Sequence, residues 1–153
     1  MIKLVWLSGR HASDLALLAA EDWDVTGFVT RSQRLRARRE RETFAVLDGK
    51  RVVGVAMLGS DLSTPGHAEL GYWIGPRERG HGYATAAAER LLNRAFDRMA
   101  VALVFATCSQ TNHASARVLA KLGFRRVAGS RDPTKAAEAL DRYELTRDEW
   151  RVT

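Results

Sequence analysis

Residues Arg77-Glu78-Arg79-Gly80-His81-Gly82-Tyr83-Ala84-Thr85 decide how this chain is read. They join an extended run, His67 to Ile74, to a segment in which Ala84, Ala87, Ala88, Leu91, Leu92, Ala95 and Phe96 recur at helical spacing. The first pattern predicts a strand and the second an amphipathic helix beginning at Tyr83. A helix start leaves backbone N–H groups without intrahelical partners, and small residues let an anion approach them. Arg79 and His81 add charge and the Thr85 hydroxyl adds a donor, so the loop reads as a phosphate cradle. A glycine-rich surface turn with no ligand has the same local pattern.

Two phosphate-binding signatures fail here. A Walker loop built on Gly75 and Gly80 needs Lys and then Ser or Thr, where this chain has His81 and Gly82; the lysine and the magnesium ligand are both missing. A dinucleotide fingerprint needs a glycine where Thr85 stands, and a strand running straight into its first glycine, whereas Pro76 to Arg79 intervene.

Outward from the loop, the chain alternates. Upstream, Ile2–Leu7 reads as a strand, and Ser13 caps a helix expected to reach Trp23. An arginine segment follows, with Thr30 or Ser32 as caps. Thr43–Leu47 and Arg51–Leu58 then form a hairpin around Asp48-Gly49. Downstream, Val101–Thr107 reads as a strand buried on both faces, and Asn112–Leu122 as a helix stopped by Gly123. Strands at Phe124–Ala128 and Leu140–Thr146 close the chain. Meander strands followed by alternating helix and strand predict an α+β (mixed α/β) domain.

The chain has 153 residues, 46% apolar and 27% charged, which is one domain with a real core rather than a disordered tail. Net charge is +6, but residues 31–41 (RSQRLRARRER) carry six arginines and one glutamate, or +5, leaving +1 for everything else. A near-neutral domain with one arginine-rich segment is not a uniformly basic nucleic-acid binder. A single cysteine, Cys108, excludes an internal disulfide framework, and the four scattered histidines predict no metal site. No run is long and apolar enough to cross a membrane, and the N-terminus lacks a signal-like apolar stretch, so a soluble cytoplasmic protein is expected.

Arg79-x-x-Gly82-x-Ala84 resembles the Q/R-x-x-G-x-G/A acyl-CoA pyrophosphate loop of the GNAT N-acetyltransferases. Ala68-Glu69-Leu70-Gly71-Tyr72-Trp73-Ile74-Gly75-Pro76 is similar to the fourth strand of the RimJ/RimL-like branch. So are Asn112-x-x-Ser115 with Arg117-Val118-Leu119-x-Lys121-Leu122-Gly123-Phe124, and the closing Arg142-Tyr143-Glu144-Leu145-Thr146-x-x-Glu149-Trp150. The order of elements fits from residue 1 to about 150. The resemblance implies a GNAT-type fold over 1–153: a mixed, mostly antiparallel sheet of about six to seven strands, splayed between the fourth and fifth, with about four helices.

It also implies chemistry. Acetyl-CoA would insert between the splayed strands as cosubstrate, with no metal. The backbone of Tyr72, Trp73 and Ile74 would bind pantetheine and acetyl; Arg79, Gly80, His81, Gly82, Tyr83, Ala84 and Thr85 the pyrophosphate; and Asn112 the pantetheine arm. A primary amine, from a peptide N-terminus or a small molecule, would attack the thioester directly. Glu69 is the candidate base, sharing a strand face with Gly71 and Trp73, and His67 is its substitute. Many relatives carry an acidic tyrosine where this chain has Leu119, and Thr107 occupies another acid-bearing position, so Ser115 is the remaining nominee for the acid. Cys108 as an acyl-accepting nucleophile has no histidine placed to activate it. Two other functions fit parts of the sequence: an acyl-CoA-binding module without catalysis, and a nucleic-acid-associated protein using Arg31–Arg41. Nucleic acid is the weaker, and a homodimer is compatible with the sequence. The arginine segment falls on the expected acceptor side, where it either attracts an acidic acceptor or is a solvated helix face.

Overall fold

The computed structural model describes residues 1–19, 24–127 and 140–152. Seven strands form one sheet: β1 (Ile2–Trp6), β2 (Arg41–Asp48), β3 (Arg51–Ser60), β4 (His67–Ile74), β5 (Leu103–Ser109), β6 (Arg125–Val127) and β7 (Leu140–Thr146). Their order is β1-β2-β3-β4-β5-β7-β6, antiparallel throughout except for the parallel β4–β5 contact. Among the described residues five α-helices accompany them: α1 (Ala12–Leu18), α2 (Val25–Ala37), α3 (Tyr83–Arg98), α4 (His113–Lys121) and α5 (Arg147–Val152). This is the expected α+β architecture.

The β4–β5 contact is its decisive feature. Only His67, Ala68 and Glu69 pair with Leu103, Val104 and Phe105. Beyond Glu69 the strands part, while β4 stays registered on β3 as far as Ile74 and β5 on β7 as far as Ser109.

Alternation along β4 assigns its side chains to two cores. Ala68, Leu70 and Tyr72 face α3 and α4, packing with Leu91, Leu92, Phe96 and Leu119. Trp73 lies on the other face, against the cluster of Leu15, Val29 and Val55 beneath α1 and α2. The α3 stripe is complete: Ala87, Ala88, Leu91, Leu92 and Ala95 have no exposed surface. Burying each leucine contributes roughly 1.5–3 kcal/mol.

Several expectations need correction. Ser13 lies inside α1, which follows a 3₁₀ turn at Gly9–His11, and the predicted end at Trp23 falls outside the described residues. Helix α2 starts earlier than Thr30 or Ser32: the Asp24 carboxylate accepts from Gly27 N–H at 2.9 Å and caps it. Thr30 instead donates to the Thr26 carbonyl. Strand β5 is buried on one face only, through Val104, Ala106 and Cys108. Ala128 also lies outside the described residues, and α5 adds a helix that the closing motif had been read past.

Candidate active site

The divergence of β4 and β5 opens a cleft of about 580 Å³ on the α3/α4 side of the sheet. Tyr72, Trp73, Ile74, Arg79, Gly80, Gly82, Tyr83, Ala84, Thr85, Asn112 and Ser115 all line it. Segments forty residues apart in sequence are thereby brought to one place. Of the predicted cofactor residues only His81 is absent from the lining: its Nδ1 lies 3.0 Å from the Glu78 carbonyl, and its ring stacks on Tyr83.

At one end of the cleft stands the start of α3. Gly82 precedes it at φ 77, and Gly80 sits at φ 83, both in the left-handed region that glycine adopts without penalty. No side chain caps this helix, and its first turn contains no acid. The first bond closing it runs from Ala86 N–H to the Gly82 carbonyl, which leaves Tyr83, Ala84 and Thr85 with N–H groups free of helical partners. A Cβ on either glycine meets nothing within 4 Å, so the space in front of these donors is open.

Charge around the loop is sorted. Glu78 lines the cleft but is bound by Arg51, which keeps that guanidinium's pKa raised. Asp48 accepts the Tyr83 hydroxyl at 2.6 Å, and this bond, more than Arg51 nearby, holds its carboxyl below the usual range. Both acids near the loop are therefore spoken for, whereas Arg79, Arg117 and Lys121 line the cleft as cations. Arg79 is oriented by Nε donation to the Ile74 carbonyl at 2.9 Å.

Register fixes what the open edge of β4 can offer. Gly75 N–H bonds to the Val53 carbonyl, so Gly75, Trp73 and Gly71 turn their main-chain groups toward β3. The Trp73 carbonyl indeed lies over Gly54, 2.1 Å from where a Cβ there would sit. Tyr72 and Ile74 point the other way, into the gap. The expectation of backbone contacts from all of Tyr72–Ile74 therefore narrows to the N–H and carbonyl of Tyr72 and the N–H of Ile74, while the Trp73 side chain packs on the opposite face.

At the other end of the cleft, α4 is capped by Asn112, whose Oδ1 accepts from Ser115 N–H at 3.1 Å, so its amide NH₂ is the group it can still offer. Ser115 Oγ lies 2.9 Å from the Tyr72 hydroxyl. Burial pushes the Tyr72 phenol up, so it is a neutral donor. Cys108 lies buried beside Ser115, and desolvation likewise raises its thiol, which keeps it from nucleophilic work. Leu119, at 1% exposure, is core and does not line the cleft. The Tyr72 side chain belongs to the site as well as its backbone, and nothing local in the sequence shows a phenol meeting a serine 43 residues away.

Glu69 does not share this cleft with Ser115. It lies on the opposite face, in a separate depression with Arg41, Gly59, Asp61 and Phe105, at the point where β4 and β5 part. Among the described residues no group of three His, Cys, Asp or Glu side chains converges as a metal site, and no helix is long and apolar enough to cross a membrane.

A sheet that opens between its fourth and fifth strands, with a helix N-terminus and basic residues at the opening, offers a cleft suited to an anionic ligand. The family described as "Acetyltransferase (GNAT) domain" matches residues 6–125, and the chain belongs to it. Two Bacillus subtilis (strain 168) proteins are similar over shorter stretches. The uncharacterized N-acetyltransferase YjdG is 34% identical over 77 residues, 50% of this chain and 46% of that one. The uncharacterized N-acetyltransferase YnaD is 38% identical over 58 residues, 38% of this chain and 34% of that one. The matches thus span less than half the length of these curated relatives. Among solved structures, a probable acetyltransferase superposes with TM-score 0.84 at 23% identity, covering 97% of this chain and 94% of that one. The microcin C7 self-immunity acetyltransferase MccE, in complex with acetyl-CoA and AMP, gives 0.84 at 18% identity, covering 95% and 92%. The ribosomal L7/L12 α-N-protein acetyltransferase RimL, in complex with coenzyme A, gives 0.79 at 15%, covering 97% and 95%. At these identities the likeness concerns the fold.

Proposed function

We propose that this chain is an acetyl-CoA-dependent N-acetyltransferase of the RimJ/RimL-like branch, one domain over 1–153, that transfers acetyl to a primary amine in a ternary complex. The observation that carries this reading is the set of free N–H groups on Tyr83, Ala84 and Thr85, opening onto a basic cleft that runs to the β4–β5 divergence. Those donors with Arg79, Gly80 and Gly82 hold the pyrophosphate. Tyr72 and Ile74 main chain and the Asn112 amide hold the pantetheine arm. Acetyl-CoA, when bound, supplies an activated thioester. His81 serves the loop through its conformation. The lone, buried Cys108 fits a reducing cytoplasmic setting.

The chain's own groups then manage protons. Glu69, at the parting of the strands, accepts a proton from the incoming amine directly or through a water. Ser115, held against the Tyr72 phenol, relays a proton to the departing sulfur across the cleft and takes one from the phenol, which solvent reprotonates. Fixing the two substrates on either side of one opening supplies much of the acceleration.

The experiment is thiol release across a panel of amines, with pH profiles for the wild type and Glu69→Gln. The variant is expected to lose most of kcat/KM for the amine while binding acetyl-CoA as before. An unchanged profile would remove Glu69 from this role and leave His67 to be tested. Tight acetyl-CoA binding with no thiol release from any amine would favour a non-catalytic module instead.

A further inference from the structure

The depression that holds Glu69 has a construction of its own. It has a volume of about 280 Å³ and lies on the α2 face of the sheet. Its floor is one cross-strand row: Arg41 on β2 is registered with Gly59 on β3, Gly59 with Glu69 on β4, and Glu69 with Phe105 on β5. Directly opposed residues project to the same face. Strands stand about 4.8 Å apart, so Arg41 and Glu69 flank a gap roughly 10 Å wide between their Cα atoms. Gly59 is the notch between them.

Packing does not demand that glycine. A Cβ at Gly59 would come no closer than 3.7 Å to Arg41 Nε and 3.8 Å to the Glu40 carbonyl, both ordinary contacts. Gly59 is also not among the glycines with left-handed φ. What its missing side chain supplies is room for the Arg41 side chain, whose Nε stands nearest to the notch. Neither Arg41 nor Glu69 has an ion-pair partner within 4.0 Å among the described residues. Asp61, by contrast, already accepts from both the N–H and the hydroxyl of Ser63. Glu40 also lines the depression, and Arg31, Arg34, Arg38 and Arg39 of the preceding segment are exposed. Position gives the row a direction. Glu69 and Phe105 are the last pair before β4 and β5 separate, so the carboxylate end abuts the opening and the arginine end points away from it.

We infer that this depression is the acceptor site and that it selects a small primary amine carrying an anionic group at its far end. The ammonium lies at Glu69, the body beside Phe105, and the anion at Arg41. This rests on the proposed acetyl transfer for what happens to the amine, but the binding claim stands separately.

Three probes of matched length test it: 4-aminobutyrate, n-butylamine and putrescine, which end in an anion, a methyl and a cation. Dissociation constants for CoA-loaded protein are expected to rank in that order. 4-Aminobutyrate should bind at least about tenfold tighter than putrescine, the factor that corresponds to about 1.4 kcal/mol. Arg41→Gln should erase most of its advantage over n-butylamine. Gly59→Leu, which fills the notch, should weaken 4-aminobutyrate about tenfold or more while leaving the acetyl-CoA Kd and Tm in place. Equal or reversed ranking, no measurable binding of any probe, or indifference to both substitutions would overturn the inference. Ordered binding without acetylation of any amine would instead count against the proposed function alone.

Discussion

Gly82→Ala separates the conformational role of the phosphate loop from its binding role. Gly82 has φ 77 and ψ 11, and an L-residue in the left-handed region costs roughly 1–2 kcal/mol. A Cβ there has no neighbour within 4 Å, so no steric strain adds to this cost. For a domain of this size about 1 kcal/mol moves Tm by roughly 2–4 °C, giving an expected drop of about 2–8 °C by calorimetry. Gly54→Ala is the contrast. Its Cβ would stand 2.1 Å from the Trp73 carbonyl and 2.9 Å from Ile74 Cα, so backbone must move. Its cost belongs at or above the top of the roughly 1–3 kcal/mol range of overpacked cores. The binding assay runs opposite to the stability assay: a methyl in the open space before Tyr83–Thr85 should weaken acetyl-CoA at least about tenfold by titration calorimetry. If Gly54→Ala proved the milder of the two in Tm, or if Gly82→Ala bound acetyl-CoA like the wild type, the account of this loop would be wrong.

Tyr72→Phe removes the 2.9 Å partner of Ser115 Oγ, so stability should fall by about 1 kcal/mol and kcat severalfold, with the acetyl-CoA Kd within about twofold by single-turnover and binding measurements. Leu119→Ala should cost about 2–5 kcal/mol in urea unfolding without changing substrate affinities, because Leu119 is 1% exposed and outside the cleft. Glu149 has its carboxyl lowered to about 2, first by the Arg125 hydrogen bond and then by Thr146. A depressed pKa stabilises above the unfolded value and is lost as pH falls, so Glu149→Gln should cost about 1 kcal/mol at neutral pH. The difference from wild type should shrink between about pH 4.5 and 2, measured by denaturant titration at stepped pH.

The elements nearest the cleft were the most legible in the sequence. β4, the start of α3, and β7 fall where periodicity places them, because each is a strong pattern with a clear stop. The ends of α1 and α2 were less so: Asp24 is the working cap of α2, but the arginine run drew attention to Thr30 and Ser32 further on. Helix α5 was written in Thr146-x-x-Glu149, where Thr146 Oγ1 accepts from Glu149 N–H and the carboxylate returns to Thr146 N–H. That capping box was absorbed into a strand motif. The site itself was half readable. Alternation placed Glu69 and Tyr72 on opposite faces of β4, but which helices cover each face is a tertiary fact. So is the meeting of Tyr72 with Ser115, and so is the Arg41–Gly59–Glu69 row, which needs register across three strands.

The parting of β4 and β5 leaves Tyr72 on an edge in the interior of a sheet. Outer edges are open to any passing strand and invite aggregation. This one faces inward, onto the cleft lined by the start of α3 and by α4. Its bare N–H and carbonyl are thus withheld from other chains and kept for whatever ligand the cleft admits.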